Sequence, residues 1–275
     1  PLAGAAIISA LPKSNEKAAK QAALGTTLVV MAVTIAMAVG FQRDNVNLQF
    51  VENYAWIPSF GINFSLGVDA IALVLILMSV ILAPIVVLAG WDEAHGGRWS
   101  VKTFYILILV LETMMIGVFA ATDLFLFYVI FEAMLIPVYF LIGGYGTGER
   151  AAAAVKFLLY SLFGGLMMLA SIIALYVMSG AQGGHTFDID KLAQLEMSST
   201  TQNLLFLGFF IAFAIKAPLW PFHTWLPDAA KSATPGTSVL LLGVLDKVGT
   251  FGMIRYCLTL FPDASKTFTP LIMIL

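Results

Sequence analysis

Three ionisable side chains, Glu132, Lys216 and Lys247, each lie inside a long apolar stretch of the sequence. An isolated charge at the centre of a lipid bilayer costs at least about 2.5–3.5 kcal/mol, so such residues are rare and commonly mark the path of an ion or a proton. A carboxylate and two amines can take up and release protons, because moving a partner charge changes which protonation state is favoured. We therefore predict that these residues translocate protons; the alternative is an ion-pair network that only holds helices together.

Lys216 is followed closely by Pro218, Pro221 and Pro227. A proline removes a backbone donor and clashes with the preceding turn, so we predict a helix that breaks near residues 218–221. Lipid cannot satisfy the carbonyl groups that a break frees, so the break must be buried in protein or line a wet cavity. A charge beside a broken membrane helix is typical of ion sites in transporters.

Glu112 and His223 are weaker candidates for the same chemistry. Glu112 lies deep in its own apolar run, and either takes part in the pathway or is satisfied locally by Thr113 or a neighbouring helix. His223 follows the break by about one turn, and a side chain that titrates near neutral pH suits a proton relay. The alternative for His223 is a hydrogen bond to one of the carbonyl groups that the break frees.

The remaining ionisable residues have structural interpretations. We expect Lys156 to extend its amine to the membrane face and Asp69 to cap the helix that follows it. Asp246 adjoins Lys247, but neighbouring helical side chains point about 100° apart, so the two need not pair. The glycine-rich segment 143–148 closes a helix instead of opening one after a strand, which argues against a phosphate loop. No cluster in the sequence has the spacing of metal ligands.

The composition sets the class of the protein. Hydrophobic residues make up 60% and charged residues 11% of the chain, with a mean hydropathy of +0.94, whereas soluble domains carry roughly 25% charged residues. Apolar runs of about 20 residues are long enough to cross a bilayer as helices. We therefore predict an all-α polytopic membrane protein. The single cysteine, Cys257, excludes an internal disulfide and a cysteine-ligated cluster on this chain.

Apolar runs divide the chain, treated as a single transmembrane domain over residues 1–275, into predicted spans, the first and last of them partial. The spans cover approximately residues 1–11, 22–41, 69–90, 103–121, 123–144, 152–178, 203–230, 236–260 and 270–275. Strand-like alternation between residues 42 and 67, with a turn at 57–61, predicts a hairpin at the membrane face. The chain begins without a methionine and ends inside an apolar run, so we expect it to be incomplete at both ends.

Basic residues in the loops predict the orientation, because lysine and arginine accumulate on the cytoplasmic face of membrane proteins. One set of loops holds Lys13, Lys17, Lys20, Arg98, Lys102, Arg150 and Lys231. The opposite loops and the adjoining helix end hold Arg43, Lys191, Arg255 and Lys266. We predict that the first, larger set faces the cytoplasm and that the N-terminus faces outside.

Three motifs surround the membrane-embedded charges, at residues 131–137, 215–228 and 246–250. They read FEAMLIP, IKAPLWPFHTWLPD and DKVGT, and together they resemble the antiporter-like subunits of respiratory complex I. Within that family the chain looks most like the branch of bacterial subunit M and mitochondrial subunit 4. Lys247 supports this resemblance, because the related L-type subunits usually carry histidine in the matching span. The similarity extends from the first span to the end of the chain.

The resemblance implies an antiporter-like fold built from two inverted five-helix repeats, of which this chain covers the first, with a discontinuous seventh transmembrane helix. Glu132, Lys216 and Lys247 match the family's fifth-helix glutamate, seventh-helix lysine and eighth-helix lysine. In the family these residues form half of a proton channel that is driven by quinone reduction in distant subunits. Where the family has a second histidine, this chain has Lys231, which argues against a relay made by a histidine pair.

The resemblance also implies the function, namely a non-redox membrane-arm subunit of NADH:quinone oxidoreductase that translocates protons. It implies no cofactor on this chain, with NADH, FMN, iron–sulfur clusters and quinone bound by other subunits. The implied neighbours are L-type and N-type antiporter-like subunits and lipid, without nucleic acid. The expected location is the bacterial inner membrane, with the mitochondrial inner membrane as the alternative. Two other functions remain open: a cation/proton antiporter or membrane-bound hydrogenase subunit of the same fold, and a structural membrane anchor.

Overall fold

Helices dominate the computed structural model, which describes residues 1–12 and 14–274. The α-helices are, in chain order, α1 Leu2–Ala10, α2 Glu16–Val39, α3 Ala70–Ala89, α4 Val101–Ala120, α5 Leu124–Ala133, α6 Leu135–Tyr145, α7 Arg150–Ala181, α8 Ile189–Leu192, α9 Ser199–Lys216, α10 Trp225–Ser232, α11 Pro235–Leu240, α12 Asp246–Gly252, α13 Leu258–Leu260 and α14 Pro262–Ile272. Seven helical stretches among the described residues are long and apolar enough to cross a membrane. The fold is the polytopic helical membrane architecture that the composition predicts.

Helix α7 is the central support of the region around Lys216, because α6, α9 and α10 all pack against it. Two consecutive glycines allow this close packing. A Cβ atom on Gly164 would lie 2.9 Å from the Ala212 Cα atom of α9, and one on Gly165 would overlap the carboxylate of Glu132. Larger residues at these positions would push both neighbours away from α7.

Besides the seventh span, whose break was predicted, two further spans are interrupted in the structure. The fifth divides at Met134 into α5 and α6, since Pro137 has no amide to donate to the carbonyl of residue 133. The eighth contains π-helical stretches, Leu241–Leu245 and Met253–Cys257, on either side of α12. Such π-bulges break the regular side-chain spacing of a helix and are frequent at functional sites.

The ends of several helices differ from the predicted spans. Helix α2 begins six residues before the predicted span, because the Asn15 side chain accepts the Ala18 amide (3.2 Å) and caps it. Asp69 caps α3 as expected, by accepting the Ala72 amide (2.7 Å). The predicted start of the last span, at residue 270, is wrong, since α14 begins at Pro262. A proline fits the first turn of a helix, where its missing amide is not needed.

A β-hairpin, β1 Gln49–Ile57 and β2 Ile62–Val68, lies at one end of the helices. Its turn uses a 3₁₀ segment and Gly61, whose φ of +66° favours glycine. The Asn63 amide donates to the buried carboxylate of Asp123 (3.1 Å), which also caps α5. Burial raises the pKa of this carboxyl group, although its backbone hydrogen bonds partly offset the shift. The predicted hairpin is therefore present and fastened to the start of α5.

Candidate functional site

Helix α9 ends at Lys216, and the chain resumes as a helix only after a break. The Leu219 amide still donates to the Ala214 carbonyl oxygen (2.9 Å), but the carbonyl of the next residue, Ile215, accepts from a side chain. The indole N–H of Trp225, the first residue of α10, donates to the Ile215 carbonyl oxygen (2.8 Å). A buried side chain therefore satisfies a carbonyl that the break frees and ties the two half-helices together.

The Lys216 amine is the most deeply buried cation of the described chain. The residue is 1% exposed, and its Nζ atom has no hydrogen-bond partner within residues 1–12 and 14–274. Two aromatic rings face it instead, with Nζ lying 4.9 Å from the Phe131 ring centre and 5.6 Å from that of Phe157. The faces of aromatic rings attract a cation, and more strongly when water is excluded.

Glu132 is the carboxylate that provides the counter-charge to Lys216. It lies on the last turn of α5, with its side chain over Gly165 of α7. The charges of Glu132 and Lys216 interact electrostatically, yet no hydrogen bond joins the two among the described residues. The structure thus brings together two of the residues singled out from the sequence, as a charge pair separated by space and not as a contact ion pair.

Lys247 lies apart from this pair. A Cβ atom on Gly249 would meet the Ala217 backbone, so α12 packs directly on the helix break. Lys247 is two positions away from Gly249, about 200° around the helix axis, so its side chain points away from the break. It bonds instead to Asp246, with 2.8 Å between Nζ and Oδ2. The sequence left the pairing of these neighbours open, and in the structure they do pair, because the long lysine side chain reaches back to the carboxylate.

The two weaker candidates remain outside the pair of Glu132 and Lys216. Glu112 is fully buried, and neither carboxylate oxygen has a partner among the described residues. Thr113, expected as a local partner, donates instead to the Leu109 carbonyl oxygen (2.9 Å). The His223 ring is exposed in the turn after the break, and no hydrogen bond connects it to the described part of the chain.

Lys156 lines a cavity at the Arg150 end of the molecule, and its amine makes two contacts that the sequence did not predict. Its amine donates to the Asp228 carboxylate (2.6 Å) and to the Thr224 carbonyl oxygen (2.9 Å). These contacts cross from α7 to α10. The reason is that α10 follows the break and lies alongside the first turns of α7, within reach of the lysine.

Aromatic rings separate Lys216 from the hairpin end of the molecule. We call Phe127, Phe131, Phe213 and Tyr256 the aromatic layer. Ring centres of Phe127 lie 4.3 Å from Tyr256 and 6.1 Å from Phe213, and Phe131 lies 6.0 Å from Phe213. All four side chains are buried. This layer was not predicted from the sequence, although phenylalanines four positions apart on α5 lie on one helix face.

Beyond the aromatic layer, towards the hairpin, lies a polar cavity of about 620 Å³. Its charged lining residues are Asp69, Asp123, Asp188, Asp190 and Arg255. Arg255 adjoins Tyr256 in the sequence and bonds to Asp69. The cavity and Lys216 are thus on opposite sides of the rings, and among the four side chains of the layer only Tyr256 carries a polar group.

Similarity to known proteins extends over the whole chain. A family model described as NADH:quinone oxidoreductase/Mrp antiporter, transmembrane, matches residues 121–275. The chain is 46% identical to NADH-quinone oxidoreductase subunit M of Mycobacterium tuberculosis, over all of this chain and 56% of that protein. It is 36% identical to NADH-ubiquinone oxidoreductase chain 4 of Marchantia polymorpha, over 99% of this chain and 54% of the relative. The chain therefore spans about half the length of these relatives.

Solved structures share the fold. A chain of respiratory complex I from Thermus thermophilus superposes with a TM-score of 0.85 at 28% identity, covering 100% of this chain and 55% of that one. A chain of the Mrp complex from Dietzia sp. superposes with a TM-score of 0.78 at 20% identity, over 96% of this chain and 29% of that one. The second likeness concerns the fold alone. Both matches agree with the antiporter-like architecture expected from the sequence motifs.

Proposed function

Because the chain belongs to the family of transmembrane subunits of NADH:quinone oxidoreductases and Mrp antiporters, we propose that it carries half of a proton pathway in the membrane arm of an NADH:quinone oxidoreductase. One observation supports this most strongly. The Lys216 amine is buried beside a helix break without a hydrogen-bond partner in the described chain, and its counter-charge, Glu132, belongs to another helix. A purely structural ion pair would place the two groups in contact.

The chemistry follows from this separation. The ammonium of Lys216 is stabilised by the Phe131 and Phe157 rings and by the charge of Glu132. If Glu132 moves or takes up a proton, Lys216 becomes an uncompensated buried cation, which is strongly unfavourable. In this proposal Lys216 then releases its proton, which Lys247 or a water molecule in the pathway accepts. Displacement of one carboxylate thus controls whether the lysine holds or passes on its proton.

Redox chemistry belongs to other subunits in this proposal, where NADH, FMN, iron–sulfur clusters and quinone are bound. Cys257, the single cysteine of residues 1–275, is buried in the apolar core, and one thiolate cannot hold a cluster that needs about four ligands. The proposed neighbours are L-type and N-type antiporter-like subunits, with lipid around them. The proposed location is the bacterial inner membrane.

The deciding experiment measures NADH-driven proton pumping in membrane vesicles that hold the assembled complex with the full-length chain carrying Lys216→Ala. We expect the number of protons pumped per NADH oxidised to fall to near zero. Assembly of the complex, followed on a native gel, should stay normal. Lys266→Ala is the matched control, because Lys266 lies in an exposed ion pair with Asp263 (3.5 Å). Normal pumping in the Lys216→Ala variant would refute the proposal.

The same vesicles distinguish the alternatives. A cation/proton antiporter would exchange protons for sodium or potassium without any electron donor. A structural anchor would lose assembly in the Lys216→Ala variant, while the complexes that do form would pump normally. Each result differs from the loss of pumping in a normally assembled complex.

A further inference from the structure

Helix α10 is a short segment between two interruptions, the break that precedes it and the non-helical residues 233 and 234 that follow. Polar contacts hold it against α7. Lys156 donates to the Asp228 carboxylate (2.6 Å) and to the Thr224 carbonyl oxygen (2.9 Å), and the Tyr160 and Thr224 hydroxyls bond to each other (2.9 Å). Two of these three polar contacts are made by Lys156.

A polar cavity of about 380 Å³ lies directly outside these contacts. Lys156, Asp228 and Lys231 all line it, together with residues from the start of α7. It is located at the end of the molecule that carries Arg150, opposite the hairpin. Water can fill a polar cavity of this size, since one water needs only about 30 Å³.

On the inner side of the same contacts lies the buried amine. Trp225 of α10 is 1% exposed, and its ring centre lies 5.2 Å from that of Phe157. The Phe157 ring in turn lies 5.6 Å from Lys216 Nζ. Helix α10 thus places Trp225 between the polar cavity and Lys216, and packs it against Phe157, the residue that follows Lys156 in α7.

Along α7, polar positions continue from the cavity to the charge pair. Tyr160 and Ser161 lie about one helical turn, or about 5.4 Å, beyond Lys156. Gly165, which lies beneath Glu132, follows Ser161 by one further turn. The Ser161 hydroxyl is buried and has no hydrogen-bond partner among the described residues. In the opposite direction, towards the hairpin, the aromatic layer provides no comparable polar groups beyond the Tyr256 hydroxyl.

We propose that the ion pair between Lys156 and Asp228 is a gate that controls the access of water from the polar cavity to Lys216. In the closed form, seen here, the pair holds α10 on α7 and Trp225 blocks the way. In the open form the pair separates, α10 moves outwards, and water reaches Ser161 and Lys216. This inference rests on the proposed function and names the regulation of the same pathway.

Two properties suit the pair to this role. Its side chains are 35% and 54% exposed, and ion pairs of this kind contribute little to stability, so separation does not unfold the protein. Lys231 lies three positions after Asp228 and lines the same cavity. Helical residues three apart are neighbours, so Asp228 has a second cation to pair with when it leaves Lys156. Lys156 and Asp228 are positioning residues, since neither touches Lys216.

The test measures how fast a thiol at position 161 reacts with a small, water-soluble methanethiosulfonate reagent applied from the Arg150 face. The assembled complex carries the full chain with Ser161→Cys and Cys257→Ala. We expect slow labelling in this background and labelling at least tenfold faster after Lys156→Gln or Asp228→Asn. Lys266→Gln, which opens the exposed pair with Asp263, is the matched control and should leave the rate unchanged.

A charge-exchange variant tests whether faster labelling comes from loss of the ion pair or only from poorer packing. Lys156→Asp combined with Asp228→Lys restores an ion pair of reversed polarity, and we expect labelling to return to within about threefold of the background rate. The gate would be overturned if Lys156→Gln labelled no faster than Lys266→Gln. It would also be overturned if the charge exchange labelled as fast as the single variants. The gate alone fails if Lys216→Ala stops pumping and labelling is unaffected. Normal pumping with Lys216→Ala refutes the proposed function itself.

Discussion

The two membrane lysines lie in opposite surroundings. Lys216 is 1% exposed, is faced by two aromatic rings, and has no hydrogen-bond partner in the described part of the chain. The Lys247 side chain is 45% exposed and bonds directly to Asp246, its neighbour in the same helix. One cation thus depends on a carboxylate carried by another helix, whereas the other carries its counter-ion with it.

This difference assigns different tasks to the two residues. A movement between α5 and α9 changes the distance from Glu132 to Lys216, so a conformational signal can alter the charge state of Lys216. No movement between helices separates Asp246 from Lys247, because adjacent residues of one helix move together. We therefore expect Lys216 to respond to conformational change and Lys247 to act as a partner with a nearly constant environment.

The largest expected effect comes from removing the distant carboxylate. Glu132→Gln leaves the Lys216 cation uncompensated in the interior, and loss of a buried partner costs up to about 3–5 kcal/mol. We expect NADH-driven pumping to fall at least tenfold, and the assembled complex to dissociate at a lower temperature. Pumping at the wild-type rate would show that Lys216 does not depend on Glu132.

A methyl group placed beneath the same carboxylate tests the geometry of the pair. Gly165→Ala puts a Cβ atom where the Glu132 carboxylate lies, and overpacking of this kind costs about 1–3 kcal/mol. Near Lys247, Gly243→Ala meets only the end of the Leu82 side chain at 3.0 Å. We expect pumping to fall in the first variant and to stay normal in the second. Equal effects would remove the distinction between the two lysines.

The hydrogen bond across the break gives a smaller effect. Trp225→Phe keeps an aromatic ring but leaves the Ile215 carbonyl oxygen without the indole donor, and an unsatisfied buried group costs about 1–3 kcal/mol. We expect faster thermal inactivation of pumping, measured as the half-life of the complex at elevated temperature. Trp220→Phe, at a tryptophan of the same break that is 64% exposed, serves as the comparison. An unchanged half-life with Trp225→Phe would show that the break needs no such tie.

The smallest effect is expected at Lys247. Asp246→Asn removes the charge of the partner but keeps an amide oxygen that can accept a hydrogen bond from the Lys247 amine, and the Lys247 side chain is 45% exposed in this chain, so we expect a smaller loss than at the enclosed Lys216. The midpoint temperature for loss of the assembled complex should therefore stay within a few degrees of wild type. A shift as large as that of Glu132→Gln would show that Lys247 is buried by a neighbour in the complex and resembles Lys216 after all.

The features predicted well from the sequence are those with local signals. A charge in an apolar run and prolines after Lys216 can be recognised from a few residues, and so can Asp69 as a cap. Pro137 is a local signal of the same kind, yet the interruption of the fifth span at Met134 was not predicted. The reason is that hydrophobicity alone continues without change through that segment.

The features that were not predicted depend on residues far apart in the sequence. Lys156 and Asp228 are separated by 72 positions, and nothing near either residue names its partner. The aromatic layer combines side chains from α5, α9 and the π-helical stretch before α13. Packing of three helices decides such contacts, and hydrophobic spacing within one helix does not specify its neighbours.

The aromatic layer has an electrical consequence. Tightly packed aromatic rings form a mostly apolar region of low dielectric constant, so a membrane voltage falls mainly across the layer when the proposed gate admits water from the Arg150 face. Lys216 lies on the Arg150 side of the rings and therefore stays close to the potential of that face. Bringing a proton there requires little of the work of about 2.3 kcal/mol per charge that 100 mV imposes. In the proton pathway that we propose, the voltage-dependent step then follows Lys216.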